Sequence, residues 1–535
     1  MFVFFHGYSP DTWDAMVKSG LVGDGDGIRL HQAISLPDEL RFNNIAKKDG
    51  ALYNIIKERR CPFYIDRLQG GCYIEEYPYD RELLDEYKSM LGDKFYGFQM
   101  HEWLSNYKSD AIDKLGELSV EDWTKENIQR LIFKNFPYKH LFLESMTLEE
   151  MASAGKPMTP EQFYANMTAI YKKRLNLGEL IPCDSGYLAY AFEIAQGAKR
   201  IMPEVGAQTR DTRIQVCYAR GMTRRKGKSF GVYYEPWGGK PFSACAYNGL
   251  KNEWAIGTGD FPFSTHGQNG GSSRSLQKRI YLYSYLSGAE FISEEWGLYN
   301  TFLEGTDFEL SPYGKTKRDF LTFVRKYDDI GDKLAPIAAV LPKELSVLDR
   351  CHEPNKLFGG ECKSERLVSL KKKVFEIFAS TVPMLGTERE NLRNSDIPDA
   401  IDLLNRDDDM LGKYDYLVDL TFDSDLNKKF NNVCGAQELT KLLKKLLPVY
   451  VDGGLHWMVN KCQRGGYYLS VFNHSGVVRT VAEGEYTLPE AQKTVTISFK
   501  KESFPTLLEG DGQLSKENGI YRLTVPAGGF AFIKF

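Results

Sequence analysis

Over the first 330 positions the chain alternates short apolar runs with stretches whose apolar residues recur at helical spacing. The runs cover residues 2–6, 28–32, 62–66, 96–102, 180–184, 200–204, 230–235 and 289–295. Amphipathic segments lie at 10–21, before residue 60, at 81–91 and finally at 315–327. A short apolar run bounded by turn residues reads as a strand buried on both faces, and its alternation with helices as a parallel α/β layout. The rhythm breaks once. Residues 105–178 are too long for one crossover and mostly helical in pattern, which predicts an inserted helical subdomain with 140–144 as a candidate extra strand. Without that stretch the strands number eight, and eight strand–helix units predict a (β/α)₈ TIM barrel whose site lies at the C-terminal strand ends.

The pattern changes twice beyond the barrel. Residues 331–453 mix strands (335–341, 414–420, 448–451) with helices (near 371–378, and 437–446), predicting a small α/β, flavodoxin-like domain with its own sheet. Residues 454–535 alternate apolar and polar positions between Gly and Asn turns, predicting an all-β sandwich. The expected domains are therefore 1–330, 331–453 and 454–535, in keeping with a length too great for a single core.

Composition narrows the function classes. A net charge of −4 and only short basic clusters, such as Arg224–Lys226 and Lys371–Lys373, argue against a nucleic-acid partner. No apolar window approaches the roughly 18 residues of a membrane span. Nine cysteines without CxxC pairs or zinc spacing give no metal site and favour reduced thiols. The start shows no signal-peptide pattern, so the expectation is a cytoplasmic protein, a trimmed secreted one being the alternative. Aromatic residues make up 13% of the chain, a surplus that suits both a core and a sugar-lined cleft.

The chemistry sits where the apolar runs end. His6, His31, Asp66 with Arg67, His101 with Glu102, Asp184, Glu204, Glu235, and Glu294 with Glu295 all close predicted strands, so barrel closure brings them to one mouth. Of adjacent strand residues only one points inward. Three of these ends pair a carboxylate with an indole: Glu102–Trp103, Glu235–Trp237 and Glu295–Trp296. An indole face stacks on a sugar ring, and two carboxyl groups are what glycosidic hydrolysis needs, one as acid and one as nucleophile or base. Glu102 and Glu235 end the fourth and seventh strands, nearly opposite one another. Trp13, Trp123, Trp254 and Trp457 lack that context and read as packing residues. The glycine-rich segment 238–273 is a long seventh loop in which His266 is the notable side chain.

These features resemble the retaining (β/α)₈ glycoside hydrolases of clan A, and the three-part plan resembles family 42 β-galactosidases. The resemblance covers most of the chain in plan, and in motif it rests on two glutamates. It implies Glu102 as acid/base, Glu235 as nucleophile, no cofactor or metal, a glycoside or oligosaccharide substrate, and homo-oligomer contacts through the second domain. The clan carries Asn before its acid/base glutamate, and here His101 stands in that place. His6, His31, Asp66, Arg67, His101, Asp184, Glu204, His266, Glu295 and the three Trp residues are then expected substrate contacts. Glu204 is the substitute for either catalytic role.

Two motifs lead elsewhere and fail. Residues 221–229 (GMTRRKGKS) have five residues between their glycines where a phosphate loop has four, and residues 23–27 (GDGDG) lack a calcium loop's ligand set; both read as turns. The expectation is a retaining glycosidase acting from a chain end. Two alternatives stay open: an inverting or sialidase-like enzyme using His101 or Asp184, and a barrel that binds sugar without cleaving it.

Overall fold

The computed structural model describes residues 3–4, 6–7, 10–32, 37–66, 77–101, 160–184, 190–206, 212–224, 226–235, 245–248, 253–256, 263–264, 273–295, 301–303, 306–341, 373–374, 377–378, 392, 394–406, 408–421, 425–480 and 484–535. Within them all eight expected barrel strands form. They are β1 (Val3–Phe4 and His6–Gly7), β2 (Ile28–His31), β3 (Phe63–Asp66), β4 (Phe95–His101), β5 (Leu180–Asp184), β6 (Arg200–Gly206), β7 (Ser229–Phe230 and Val232–Glu235) and β8 (Phe291–Glu294). Every neighbouring pair runs parallel. Closure is made by β1, whose first half pairs with Phe291 and Ile292 of β8 and whose second half pairs with Ile28 and Arg29 of β2. The result is a (β/α)₈ barrel.

A helix follows each strand: α1 (Pro10–Lys18), α2 (Ala51–Arg59), α3 (Arg81–Leu91), α4 (Pro160–Leu175), α5 (Tyr190–Ala195), α6 (Thr212–Thr223), α7 (Arg274–Leu286) and α8 (Pro312–Lys326). Caps fix several starts. Asp80 accepts from Leu83 N at 3.2 Å and Ser273 from Leu276 N at 3.0 Å. The last helix begins earlier than its apolar pattern suggests, because Ser311 caps Gly314 N at 3.0 Å and Pro312 occupies the first turn. The insertion expected at 105–178 is described only from residue 160, where α4 runs, and the candidate strand at 140–144 lies outside the described residues.

The lumen is filled. Tyr64, Tyr96, Ile181, Cys183, Met202, Tyr233 and Phe291 form a core of their own inside the sheet, separate from the larger core between sheet and helices. Gly231, between the two halves of β7, leaves room for the Phe291 ring, which a Cβ there would approach to 2.3 Å. At the bottom, Arg200 lies 3.6 Å from the Tyr96 ring centroid, and the Tyr96 hydroxyl donates to Glu290 at 2.5 Å. A plug of this kind leaves only the C-terminal mouth as an entrance.

Strands Ile401–Asn405, Ile337–Leu341, Tyr416–Asp419 and Val433–Cys434 form a second, wholly parallel sheet in that order. α6 is buried along its whole length between barrel and this sheet, with Gly221 against the Leu403 carbonyl, where a Cβ would approach to 2.1 Å. The segment beginning at Gly221, read as a turn, is thus the end of α6, and only the Gly227 region turns. Among the described residues antiparallel sheets of five and four strands follow, with a two-stranded one made by Val477–Thr480 and Gly484–Thr487. One expectation changes here. Val449–Asp452 does not join the α/β sheet but pairs antiparallel with Lys493–Phe499, and Asp332–Lys333 pairs with Asn460 and Lys461. Backbone pairing, which apolarity does not encode, decides which sheet a short strand completes. Among the described residues no helix is long and apolar enough to cross a membrane.

Candidate active site

Strand alternation sorts the mouth residues. In β2, Ile28 and Leu30 join the outer core, so Arg29 and His31 take the lumen side; in β3, Tyr64 and Asp66 do. Met202 and Glu204 share a parity in β6, as do Tyr233 and Glu235 in β7, and Phe291, Ser293 and Glu295 in and just after β8. In β4 a bulge at Gly97 (φ 86°) resets the parity, so that Tyr96 lies in the inner core before it, and Gln99 and His101 face the lumen after it.

The upper lumen is consequently ionic. Donor atoms of His101, Glu204 and Glu295, from the alternate strands β4, β6 and β8, all lie within 4.8 Å of one another, and all three residues are buried. They are the group among the described residues that is spaced to hold a metal ion. His101 is also 3.4 Å from the Gln99 amide nitrogen through Nδ1, and its ring stands 5.4 Å from that of Tyr233. Glu235 lies over the backbone of Gly206, its partner in register, where a Cβ would fall 2.4 Å from the carboxylate. Gly206 therefore makes room for that side chain.

On the opposite wall Asp66 is fully buried and holds two partners from β2. His31 Nδ1 is 2.8 Å from its Oδ2, and Arg29 Nε is 3.1 Å from the same oxygen. Arg29 also donates to the Glu294 carbonyl and stands 5.6 Å from the Tyr233 ring centroid. Burial pushes the Cys183 thiol well above its usual range, and the nearby carboxylates of Glu204, its chain neighbour Asp184 and Asp66 push it further against a hydrogen bond with Gln99. Tyr64 is raised in the same way by burial, with Arg29 opposing and Asp66 adding; its hydroxyl meets Ser293 Oγ at 2.5 Å.

Of the residues expected at the mouth, His31, Asp66, His101, Glu204, Glu235 and Glu295 are lumen-facing. Asp184 differs. It has the parity of Leu180, which packs in the outer core, so the alternation of β5 turns it toward the helices, away from the lumen occupied by Cys183. His6 is placed in β1 by its backbone alone. Glu102, Trp103, Arg67, Trp237, His266 and Trp296 lie outside the described residues. Sequence reading missed Arg29, although a charge in the middle of a buried run was its signal. It missed Gly206 as well, for which the sequence offers none. Trp13 and Trp457 are packing residues, 3% and 1% exposed.

No family model and no curated protein matches the sequence. Among solved structures the chain is similar to a β-galactosidase from the Antarctic haloarchaeon Halorubrum lacusprofundi, at 9% identity and a TM-score of 0.44, over 100% of this chain and 99% of that one. It is also similar to α-L-fucosidase isoenzyme 2 from Paenibacillus thiaminolyticus, at 8% identity and a TM-score of 0.46, again over 100% and 99%.

Proposed function

We propose that this chain is a glycoside hydrolase acting by retention on the terminal sugar of a glycoside or oligosaccharide. One observation carries the reading: a closed parallel barrel, plugged below, gathers the buried carboxylates Glu204, Glu235 and Glu295 with His101 at its C-terminal mouth. In this reading Glu235, held over Gly206, attacks the anomeric carbon. Glu102, the residue after lumen-facing His101, protonates the leaving oxygen. Water, deprotonated by the same Glu102, then displaces Glu235 from the sugar. Glu204 and Glu295 accept hydrogen bonds from ring hydroxyls, and His101 takes the place of the Asn found in the clan the chain resembles.

The test is a panel of aryl glycosides with proton NMR of the first-formed anomer. Glu235→Gln is expected to lose most turnover without unfolding. Azide is expected to rescue Glu235→Ala and give a glycosyl azide of inverted configuration. Sugar binding with no hydrolysis across the panel would instead identify a non-catalytic barrel.

A further inference from the structure

We infer that Asp66 is a positioning residue that holds His31 in its Nδ1–H form, so that His31 Nε2 accepts a hydrogen bond from a hydroxyl of the bound sugar. The second half rests on the glycosidase reading above; the first half does not.

The two residues face each other by backbone register, His31 of β2 opposite Asp66 of β3. The side chains form a graded series from the interior to the mouth: Asp66 is 0% exposed, Arg29 5% and His31 18%. His31 is thus the member that reaches the entrance. Arg29 Nε forms an ion pair with Asp66 Oδ2 at 3.1 Å, and a carboxylate paired in this way offers acceptor oxygens only. The hydrogen in the 2.8 Å contact between Asp66 Oδ2 and His31 Nδ1 therefore belongs to His31. In a neutral imidazole with Nδ1 protonated, Nε2 carries the lone pair, so the dyad builds a fixed acceptor. Asp66 is itself held in place, because Arg29 is tied to the Glu294 carbonyl of β8 and lies beside the Tyr233 ring. The series links three strands and ends in one imidazole at the mouth.

A fixed acceptor selects its ligand. A site built to hydrogen-bond a hydroxyl discriminates strongly against the analogue lacking it, because the acceptor is then buried without a partner. A ring hydroxyl of a terminal sugar has the matching chemistry, with an O–H to give. The competing explanation is structural: His31 does no more than fill an acceptor site on a buried ion pair.

Long-range nitrogen–proton NMR on histidine-labelled protein separates the two, with the His31 signals assigned by their loss in His31→Gln. The wild type is expected to show protonated Nδ1 and unprotonated Nε2 at neutral pH, and Asp66→Asn to lose that preference. A wild-type Nε2–H form or a charged ring would overturn the inference, and that readout does not depend on Asp66→Asn folding. Kinetics use the aryl glycoside that the wild type cleaves fastest, together with its monodeoxy analogues. His31→Ala is expected to lose about 100-fold in kcat/KM, and that loss should vanish against the one analogue lacking the contacted hydroxyl. His31→Gln, whose amide oxygen can stand near the Nε2 position, should recover most of it. Equal losses against every analogue would leave His31 a structural residue. A chain that cleaves no glycoside ends both the glycosidase reading and the hydroxyl contact, while the NMR pattern still decides the role of Asp66.

Discussion

Glu294 and Glu295 are adjacent in sequence and stand on opposite faces of the same barrel wall. Glu294 turns outward, where its carboxylate accepts from Lys317 Nζ at 2.5 Å and from the Tyr281 hydroxyl. Lys317 is 1% exposed, and burial pulls its ammonium below the usual lysine range despite that partner. Glu295 turns inward to His101 and Glu204. Substitution should therefore separate stability from activity. Glu294→Gln, which leaves Lys317 buried without its counter-charge, is expected to cost about 3–5 kcal/mol in urea unfolding while the folded protein keeps its activity. Glu295→Gln is expected to do the reverse, lowering kcat/KM with the midpoint unchanged.

Gly206 tests the placement of Glu235. An added Cβ would lie 2.1 Å from the Glu235 carbonyl and 2.4 Å from its carboxylate, so Gly206→Ala must push β7 or the side chain aside. Overpacking of this kind costs about 1–3 kcal/mol. A displacement near 1 Å at a reacting group costs about 100-fold in rate. The expected outcome, read by kinetics beside thermal melts, is a much larger loss of kcat than of stability.

The bulge at Gly97 decides which way His101 points. Its φ of 86° suits glycine, and a Cβ there would meet the Glu179 carbonyl at 2.0 Å. Gly97→Ala is expected to destabilise by more than about 1 kcal/mol, measured by denaturant titration. Deleting the residue would reverse the parity of everything after it and turn His101 out of the lumen; activity should be lost even if a barrel still forms.

Acid sensitivity is expected from a buried chain between the barrel and the later sheets. Arg279 of α7 donates to His474 Nδ1 at 2.7 Å, His474 Nε2 meets His456 Nδ1 at 2.8 Å, and His456 Nε2 meets Asp399 at 3.3 Å. Asp399 also receives Lys333, Arg213 and Arg220, and Tyr283 donates to it at 2.6 Å. Burial lowers His456 to about 4, against a partial pull upward from Asp399. Between pH 6.5 and about 4 the unfolded chain binds a proton at this site that the folded chain does not, so stability rises with pH across that window. His474 is also lowered well below its usual range, by burial first and then by Arg279, and adds to the same slope. Asp399, held well below the usual carboxylate range by Lys333, His456 and the arginines against its own burial, adds a loss below about pH 3.8. Urea midpoints measured from pH 7 to 4 should fall steeply in the wild type and less in His456→Gln.

The apolar runs were sufficient to count the strands because a barrel strand is buried on both faces and must be apolar wherever it is neither lumen mouth nor turn. For the same reason strand-end residues such as His101, Glu204 and Glu235 stood out in sequence, and β alternation required that only one of Glu294 and Glu295 point inward. Arg29 was visible only as an anomaly inside an apolar run. The side on which Asp184 stands was not legible either, since its run, LIPCD, gives no parity until Cys183 is known to face inward. Val449–Asp452 misled, because either neighbouring sheet accepts the same apolar strand.

By itself, then, the sequence determined the kinds of element, their order and the polar residues that end them, since each follows from burial and spacing along a few neighbouring positions. Tertiary structure alone decided the pairing of Arg29 with Asp66, the approach of Glu235 to Gly206 and the meeting of His101, Glu204 and Glu295. Those contacts join residues tens to hundreds of positions apart. Their geometry depends on one bulge and on barrel closure, and neither leaves a periodic trace in the chain.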